Sequence, residues 1–542
     1  MLVAEELSVY TRNGQKLVGP LSLGFAEGQM HALIGPSGCG KSTLLKGFMH
    51  LLPTRGQVFL RGEQISTTED LVGHLGFVPQ FSIAQPQLTV EQNIRFARRL
   101  FAPSTFSEEK YQHLLDVIGL SAHLEKRVSQ LSGGQLRRLG LALELINNPP
   151  FLFCDEVTTG LDPASEEEIL DVLRLLAKEG VTIVCVIHNL AQLHSFDQIH
   201  LLNEGDLVFQ GSLKALKEHF QIEDVTRVYG ALQTLKEPHL HPSPESEKPE
   251  NPPVQPRQPG LFTQWCTLIH RRFVLFFQDR GYLALTAALT FGFPFLVVIF
   301  AWNGLPGFEA LAIVQEGDFL SRLQNQIDFQ KEAMRTGSLV SGLIMFQVIL
   351  LTLMGANNGA REIAGERVLF EKEKLSGLRP LAYLGSKVVF FLFISVLQGV
   401  WMTFFVKYIC GFPGPFLPQA LVLTLTVFSM TLISLALSSV SGSGEKASLM
   451  STYIVGFQLP LSGVVLALPE VLVWIFRPFI AAYWGWSGYL DTFRNNRFYD
   501  AVELTVETNV MATFICLLVL SIHSLLALAV VAVGVYQNRF AR

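Results

Sequence analysis

Hydrophobic and polar positions along the 542-residue chain change character once, near Leu261. Before it, apolar runs are short and each ends in a polar residue, as in Met30–Ile34, Phe151–Cys154 and Val184–Ile187, and mixed charges lie between them. That is the pattern of a soluble α/β domain with buried parallel strands. After it, about six apolar stretches follow, near Tyr282–Trp302, Ser338–Ala356, Lys387–Cys410, Pro418–Val440, Ala447–Leu468 and Val510–Gln537. A hydrocarbon core of about 30 Å takes roughly 20 apolar residues per helix. Buried soluble helices account for one or two such stretches and not for six in a row. Between the halves, Lys236–Gly260 is rich in proline and charge and favours an extended spacer. The predicted organisation is an α/β domain over 1–235, a Pro-rich linker over 236–260 and an all-α polytopic membrane domain over 261–542.

The chemistry of the first domain begins at Gly35-Pro36-Ser37-Gly38-Cys39-Gly40-Lys41-Ser42-Thr43, which fits G-x-x-x-x-G-K-[ST]. Glycines let successive backbone N–H groups turn inward onto phosphates, Lys41 brings positive charge to the outer phosphates, and Ser42 offers a hydroxyl to Mg²⁺. The flanking pattern predicts a buried strand over Met30–Ile34 and a helix over Ser42–Met49, the context this loop requires. Further on, Phe151–Cys154 runs into Asp155 and Glu156, with Leu131-Ser132-Gly133-Gly134-Gln135 upstream. Asp155 is placed to hold Mg²⁺ through water, and Glu156 to orient or deprotonate the attacking water. Gln80 and His188 each close a short apolar run and, taken singly, read as ordinary polar residues at strand ends.

The order and spacing of these pieces, over roughly residues 1–230, resemble the nucleotide-binding domain of ATP-binding cassette transporters. The resemblance implies that Gly35–Thr43 is the Walker A loop binding ATP, Gln80 the Q-loop residue, and Leu131–Gln135 the signature. It also implies that Asp155 and Glu156 are the Walker B pair, Gly160-Leu161-Asp162-Pro163 the D-loop, and His188 the switch histidine. Gln80, Glu156 and His188 are then catalytic, and Ser42, Gln80 and Asp155 hold the metal. Val157 and Thr159 stand where many members carry proline and serine, away from any phosphate or metal ligand. In the family the signature contacts ATP held by a second domain, and this chain has one Walker A loop and one signature. A dimer is therefore expected: a homodimer is the economical form, and a heterodimer with another half-transporter remains open. Tyr10 is a candidate face for adenine, or simply an exposed strand residue.

Lys and Arg are commoner before the first span, between the second and third, and after the last. The positive-inside bias places the ATPase domain and both termini in the cytoplasm. The chain opens on strand-like residues, so no cleavable signal peptide is expected. Six cysteines without a C-x-x-C pair give no disulfide framework, and a net charge of −5 gives no nucleic-acid signal. The outward loops carry no N-x-[ST] sequon, which leans toward a bacterial inner membrane.

Arg361–Lys374, with Glu366-Arg367 and Glu371-Lys372-Glu373 inside it, lies between the second and third spans. With the ATPase first, this resembles the G subfamily of ABC half-transporters, where such a segment is the coupling helix. On that resemblance Glu366, Arg367, Glu371 and Glu373 couple hydrolysis to transport; alone, they read as a charged soluble helix. The aromatic and basic Leu261–Arg280 resembles the family's interfacial connecting helix. The spans hold almost no ionisable residues, which argues against a charge-pair site for an ion and favours an apolar or amphipathic cargo. By resemblance the second and fifth spans line the cavity, making Phe346, Gln347, Phe457 and Gln458 candidates, with packing or lipid contact as the alternative. Glu309–Arg335 has helical apolar spacing with many charges and could extend the first two spans outward, and Pro469–Asn509 could form a re-entrant cap; folding scaffolds are the alternative for both, and the sequence does not decide. The expected function is ATP-driven export of lipids or hydrophobic small molecules from a lipid bilayer. The alternative is a membrane-anchored ATPase working mechanically on a partner protein.

Overall fold

In the computed structural model, residues 1–102, 106–232, 258–302, 304–305, 319–466 and 469–537 are described. Most of the expected linker therefore lies outside the described residues. The chain divides into two compact units, Met1–Arg271 with Val368–Tyr383, and Arg272–Arg367 with Leu384–Gln537.

The first unit is built on two sheets. Strands β1 (Leu2–Tyr10), β2 (Lys16–Phe25), β4 (Thr54–Leu60) and β5 (Glu63–Ile65) form one antiparallel sheet in the order β2-β1-β4-β5. The other has the order β10-β9-β3-β8-β7-β6, from β3 (Met30–Ile34), β6 (Leu75–Val78), β7 (Phe151–Asp155), β8 (Thr182–Val186), β9 (Gln198–Asn203) and β10 (Asp206–Gly211). Its neighbours pair in parallel except β10 on β9. Every residue of β3, β7 and β8 is buried, which explains their unbroken apolar runs. Around the sheets lie α1 (Lys41–Phe48), α2 (Val90–Phe101), α3 (Glu108–Ile118), α4 (Gly133–Leu145), α5 (Pro163–Lys178), α6 (Leu213–Phe220) and α7 (Val228–Ala231).

Segment 368–383 packs into this unit through buried polar contacts. Lys372 Nζ lies 3.0 Å from Glu144 Oε1, both side chains at most 6% exposed. Glu144 Oε2 accepts the Phe77 N–H at 3.2 Å. Asn147 donates to the Ser376 carbonyl, Gln264 donates to the Gly377 carbonyl, and Arg271 makes a bidentate pair with Glu373.

The second unit is helical. After α8 (Leu261–Gln278), which begins in the first unit, come α9 (Arg280–Ile299), α10 (Phe319–Gly359), α11 (Glu362–Leu375), α12 (Pro380–Cys410), α13 (Phe416–Val440) and α14 (Gly444–Leu461). The short α15 (Glu470–Phe476), α16 (Ala481–Asp491) and α17 (Arg497–Glu503) precede α18 (Thr513–Tyr536). Among the described residues, five helices are long and apolar enough to cross a membrane, carried by α9, α10, α12, α13 and α18. The stretch expected to span at 447–468 differs: α14 (18 residues) carries Glu445 and Lys446 in its first turn and stops at Leu461, shortly before Gly463 at positive φ, while residues 467–468 lie outside the described residues. α10 runs N-terminal of the 338–356 stretch, the charged residues before it continuing the helix with the spacing read from the sequence. Of the outward reading of Glu309–Arg335, residues 309–318 lie outside the described residues. In the segment read as a cap, α16 is buried from Ala481 to Leu490.

Charged side chains at the ends of these helices pair rather than stand alone. Lys387 bonds both Glu362 (2.6 Å) and Glu366 (2.5 Å), and Arg272 bonds Glu362 at 2.7 Å. Deeper, Asn358 donates to Gln398, which reaches Thr290, joining α10, α12 and α9 with amides that lipid would not satisfy.

Two outcomes follow for the first unit. His31 Nε2 donates to the Ala26 carbonyl, so its Nδ1 accepts from His200 Nε2 at 3.1 Å, and Phe25 is edge-on to both rings. Burial pushes the His31 pKa down to about 4 from 6.5. The unfolded chain thus binds the proton more readily, and stability is fully present above pH 6.5 and falls as pH drops toward 4, by about 3 kcal/mol for this group. The thermal midpoint of the full chain should decline over that window, and His31→Gln should lessen the decline without abolishing it, since burial also pushes the neighbouring His200 pKa well below the ordinary value. Lys372→Met should lower the midpoint at neutral pH, because it strands a buried carboxylate at a cost of about 3–5 kcal/mol, with partial recovery in Lys372→Met/Glu144→Leu.

Candidate functional site

The site forms where the central strands of the parallel sheet end. The chain leaves β3 through a loop whose glycines hold conformations closed to other residues: Gly35, Gly38 and Gly40 have φ of 151°, 83° and 103°. A Cβ on Gly35 would collide with the Leu202 carbonyl, whereas Gly38 faces open space. The loop wraps Lys41, whose Nζ donates to the carbonyls of Gly35 (2.8 Å) and Pro36 (3.0 Å) with Cys39 Sγ at 3.9 Å. Pro36 and Ser37 lead the loop, Gly40 caps α1, and Ser42 and Thr43 form the helix's first turn. A lysine held inside a ring of backbone at a helix N-terminus fits the polyphosphate of a nucleotide.

Beside it, Ser42 Oγ donates to Asp155 Oδ1 at 2.7 Å. Burial raises the Asp155 pKa, and this hydroxyl opposes the rise. Glu156 is the first residue past β7 and has φ of 53°. Its two carboxylate oxygens are engaged separately: Gln80 Nε2 donates to Oε2 at 2.9 Å, and His188 Nε2 lies 2.6 Å from Oε1. Gln80 follows β6 and His188 follows β8, the two strands flanking β7, so adjacent strand ends bring the three together. The hydrogen bond of the Gln80 amide runs to Glu156 and not to the Ser42–Asp155 pair.

The signature opens α4. Ser132 is its N-cap, accepting from the Gln135 N–H while Gln135 Oε1 accepts the Ser132 N–H. Ser132 and Gly133 are exposed, and a Cβ on Gly133 or Gly134 would press on Leu161 or Ser165 beside the D-loop. Tyr10, at the end of β1, is half-buried with the Arg55 guanidinium 5.2 Å from its ring centre. One contact had no signal in the sequence: the Tyr229 hydroxyl on α7, far along the chain, accepts the Gly35 N–H at 3.2 Å and so holds the start of the loop.

The residues expected to couple fall in different places. Glu371 and Glu373 are buried in the first unit, and Glu373 pairs with Arg271. Glu366 bonds Lys387, and Arg367 donates to the carbonyls of Gly534 and Ser439, all within the second unit. Of the residues expected at a substrate cavity, Gln347 and Gln458 are buried inside the protomer, with Gln458 accepting the Ala482 N–H. Neither amide is reachable there, because α16 folds against α10 and α14. Phe346 is half-buried, with Phe300 at 5.8 Å, and Phe457 is exposed.

Comparison with known proteins agrees with this geometry. Residues 18–159 match the model of the ABC transporter family, and residues 263–494 that of the ABC-2 type transporter family. The chain is 30% identical, over 84% of its length, to the ABC transporter ATP-binding/permease protein Rv1747 of Mycobacterium tuberculosis, and it spans about half (53%) of that protein. Its first part is 36% identical to Nod factor export ATP-binding protein I of Rhizobium sp., covering 40% of this chain and 73% of that protein. It is 34% identical to the methionine import ATP-binding protein MetN of Caulobacter vibrioides, covering 40% of this chain and 69% of that protein. The chain belongs to the ABC transporter family, an ABC ATPase domain followed in the same chain by an ABC-2 type membrane domain.

Proposed function

We propose that the protein is one half of a homodimeric, ATP-driven exporter of lipids or other apolar molecules, with its ATPase domains in the cytoplasm. The observation that carries the ATPase part of this reading is the grip of Gln80 and His188 on the two oxygens of Glu156, next to the Ser42–Asp155 pair. The donor set of hydroxyl, carboxylate and amide oxygens is the kind that Mg²⁺ prefers. Ser42 and Asp155 would hold the ion, which neutralises phosphate charge when bound. Glu156 is positioned as the base toward water, with Gln80 orienting one oxygen and His188 the other. Lys41 holds the outer phosphates and Tyr229 fixes the loop that carries it.

The exposed signature at the start of α4 supports a second copy closing over the nucleotide, since the chain holds a single Walker A loop and a single signature. Glu371 and Glu373 lie in the ATPase unit while Glu366 and Arg367, on the same helix, lie in the membrane unit. A helix whose residues divide between the two units in this way supports the coupling role proposed for the four residues. α14, too short and polar at its start to rank with the five apolar helices, is taken as the remaining span. An apolar cargo is favoured by the scarcity of charge within the spans. Phe346 and Phe457 are the candidates left for contact with cargo.

In lipid nanodiscs, Glu156→Gln should lower ATP hydrolysis at least about 100-fold, the effect of losing a general base. Hydrolysis unaffected by this substitution would refute the role given to Glu156, and wild-type hydrolysis absent in every lipid and drug condition would refute the self-sufficient homodimer. Tyr229→Phe should raise the KM for ATP about fivefold with kcat little changed, the scale of one lost hydrogen bond of about 1 kcal/mol.

A further inference from the structure

Helix α10 is 41 residues long. At 1.5 Å per residue it measures about 60 Å, twice the hydrocarbon thickness of a bilayer. Its first part, Phe319–Gly337, carries Asp328, Lys331, Glu332 and Arg335 and therefore stands in water. One face of that part is spoken for: Phe329 is half-buried, Ala333 and Thr336 are buried, and Gly337 approaches Ala501 and Thr505 so closely that no Cβ fits. These contacts lean on α17.

The opposite face is apolar as well. Leu320, Leu323, Ile327 and Met334 are between 42% and 71% exposed. At 3.6 residues per turn they form one stripe, roughly 140° around the helix from the buried face. Their spacing is that of alternating seam positions in a heptad, and exposed Gln330 takes the remaining position between Ile327 and Met334. The stripe ends where the membrane part begins, because the next seam position, Gly337, turns to α17. The charges of Asp328, Lys331, Glu332 and Arg335 around the stripe keep this part of α10 in water, so lipid is not its covering partner.

We propose that α10 extends out of the membrane as one strand of a parallel two-helix stalk whose other strand is α10 of a second copy of this chain. The proposal rests on the dimer reading above. Two copies inserted with the same topology are related by a two-fold axis along the membrane normal, so α10 meets α10 in parallel and each seam residue faces its own copy. Leu320, Leu323, Ile327 and Met334 supply the apolar seam, and Gln330 is the polar seam position that fixes register.

Self-matching of positions gives a direct test. Single cysteines at Leu323, Ile327 and, as a control off the stripe, Asp328 are introduced into full-length protein carrying Cys266→Ser, since Cys266 is the exposed native cysteine among the described residues. Membranes are oxidised with copper phenanthroline and the products sized on non-reducing gels. Leu323→Cys and Ile327→Cys are expected to give a disulfide-linked dimer of this chain, lost with Asp328→Cys. Equal cross-linking at all three positions, no cross-link, or an adduct with a different protein would overturn the stalk. Native size and Glu156-dependent hydrolysis of the same samples separate its failure from that of the dimer: a dimeric, active but uncross-linked protein overturns the stalk alone, and a monomer overturns both.

Discussion

The carboxyl end of β7 is the constraint on which the nucleotide site depends. Five buried residues place Asp155 at the last position of a central strand, and the backbone then turns through a left-handed conformation at Glu156. Such a conformation costs on the order of 1–3 kcal/mol for a residue with a side chain and persists because its surroundings hold it. Here the surroundings are the ends of β6 and β8, which deliver Gln80 and His188 to the two carboxylate oxygens. The neighbouring carboxylates take separate partners: Asp155 the hydroxyl of Ser42, Glu156 an amide and an imidazole.

That arrangement is continuous with the parts of the first unit that are distant in sequence. Glu144, on the helix opened by the signature, holds both the Phe77 N–H of β6 and the ammonium of Lys372. Lys372 also donates to the Ile83 carbonyl, three residues past Gln80. Buried charges are tolerated only when paired and hydrogen-bonded. Segment 368–383 thus acts as a structural part of the ATPase unit, and any displacement of it must be felt at β6 and its Gln80 end.

In the membrane unit, polar groups settle how the helices join. The Asn358–Gln398–Thr290 chain and the Lys387–Glu362–Glu366–Arg272 network fix α9, α10, α11 and α12 relative to one another where apolar side chains alone discriminate poorly between rotations. The burial of α16 from Ala481 to Leu490 has a related consequence. It fills the space beside Gln347 and Gln458 and leaves Phe457 exposed on α14.

The sequence by itself determined the α/β domain, its nucleotide loop and the apolar helices. Each of these is a local signal: a buried strand must be apolar throughout, a phosphate loop must be glycine-rich next to its lysine, and a membrane helix must be long and uncharged. Taken singly, Gln80 and His188 read as ordinary strand-end residues, and only the order of motifs shared with the family gave them roles, because their meaning lies in the strand order β6-β7-β8, which no local pattern encodes. Tyr229 carried no signal at all, since its hydroxyl meets Gly35 across 194 positions of chain. Hydropathy reports transfer into lipid and does not mark the end of α14, where Gly463 acts on the backbone, whereas the helical spacing before Ser338 does run into α10 through charged residues that are good helix formers. Only the tertiary structure decided which amides are buried and which glutamates pair with which cations, because those outcomes depend on what other elements bring within about 3 Å, the range over which a hydrogen bond or ion pair is worth making.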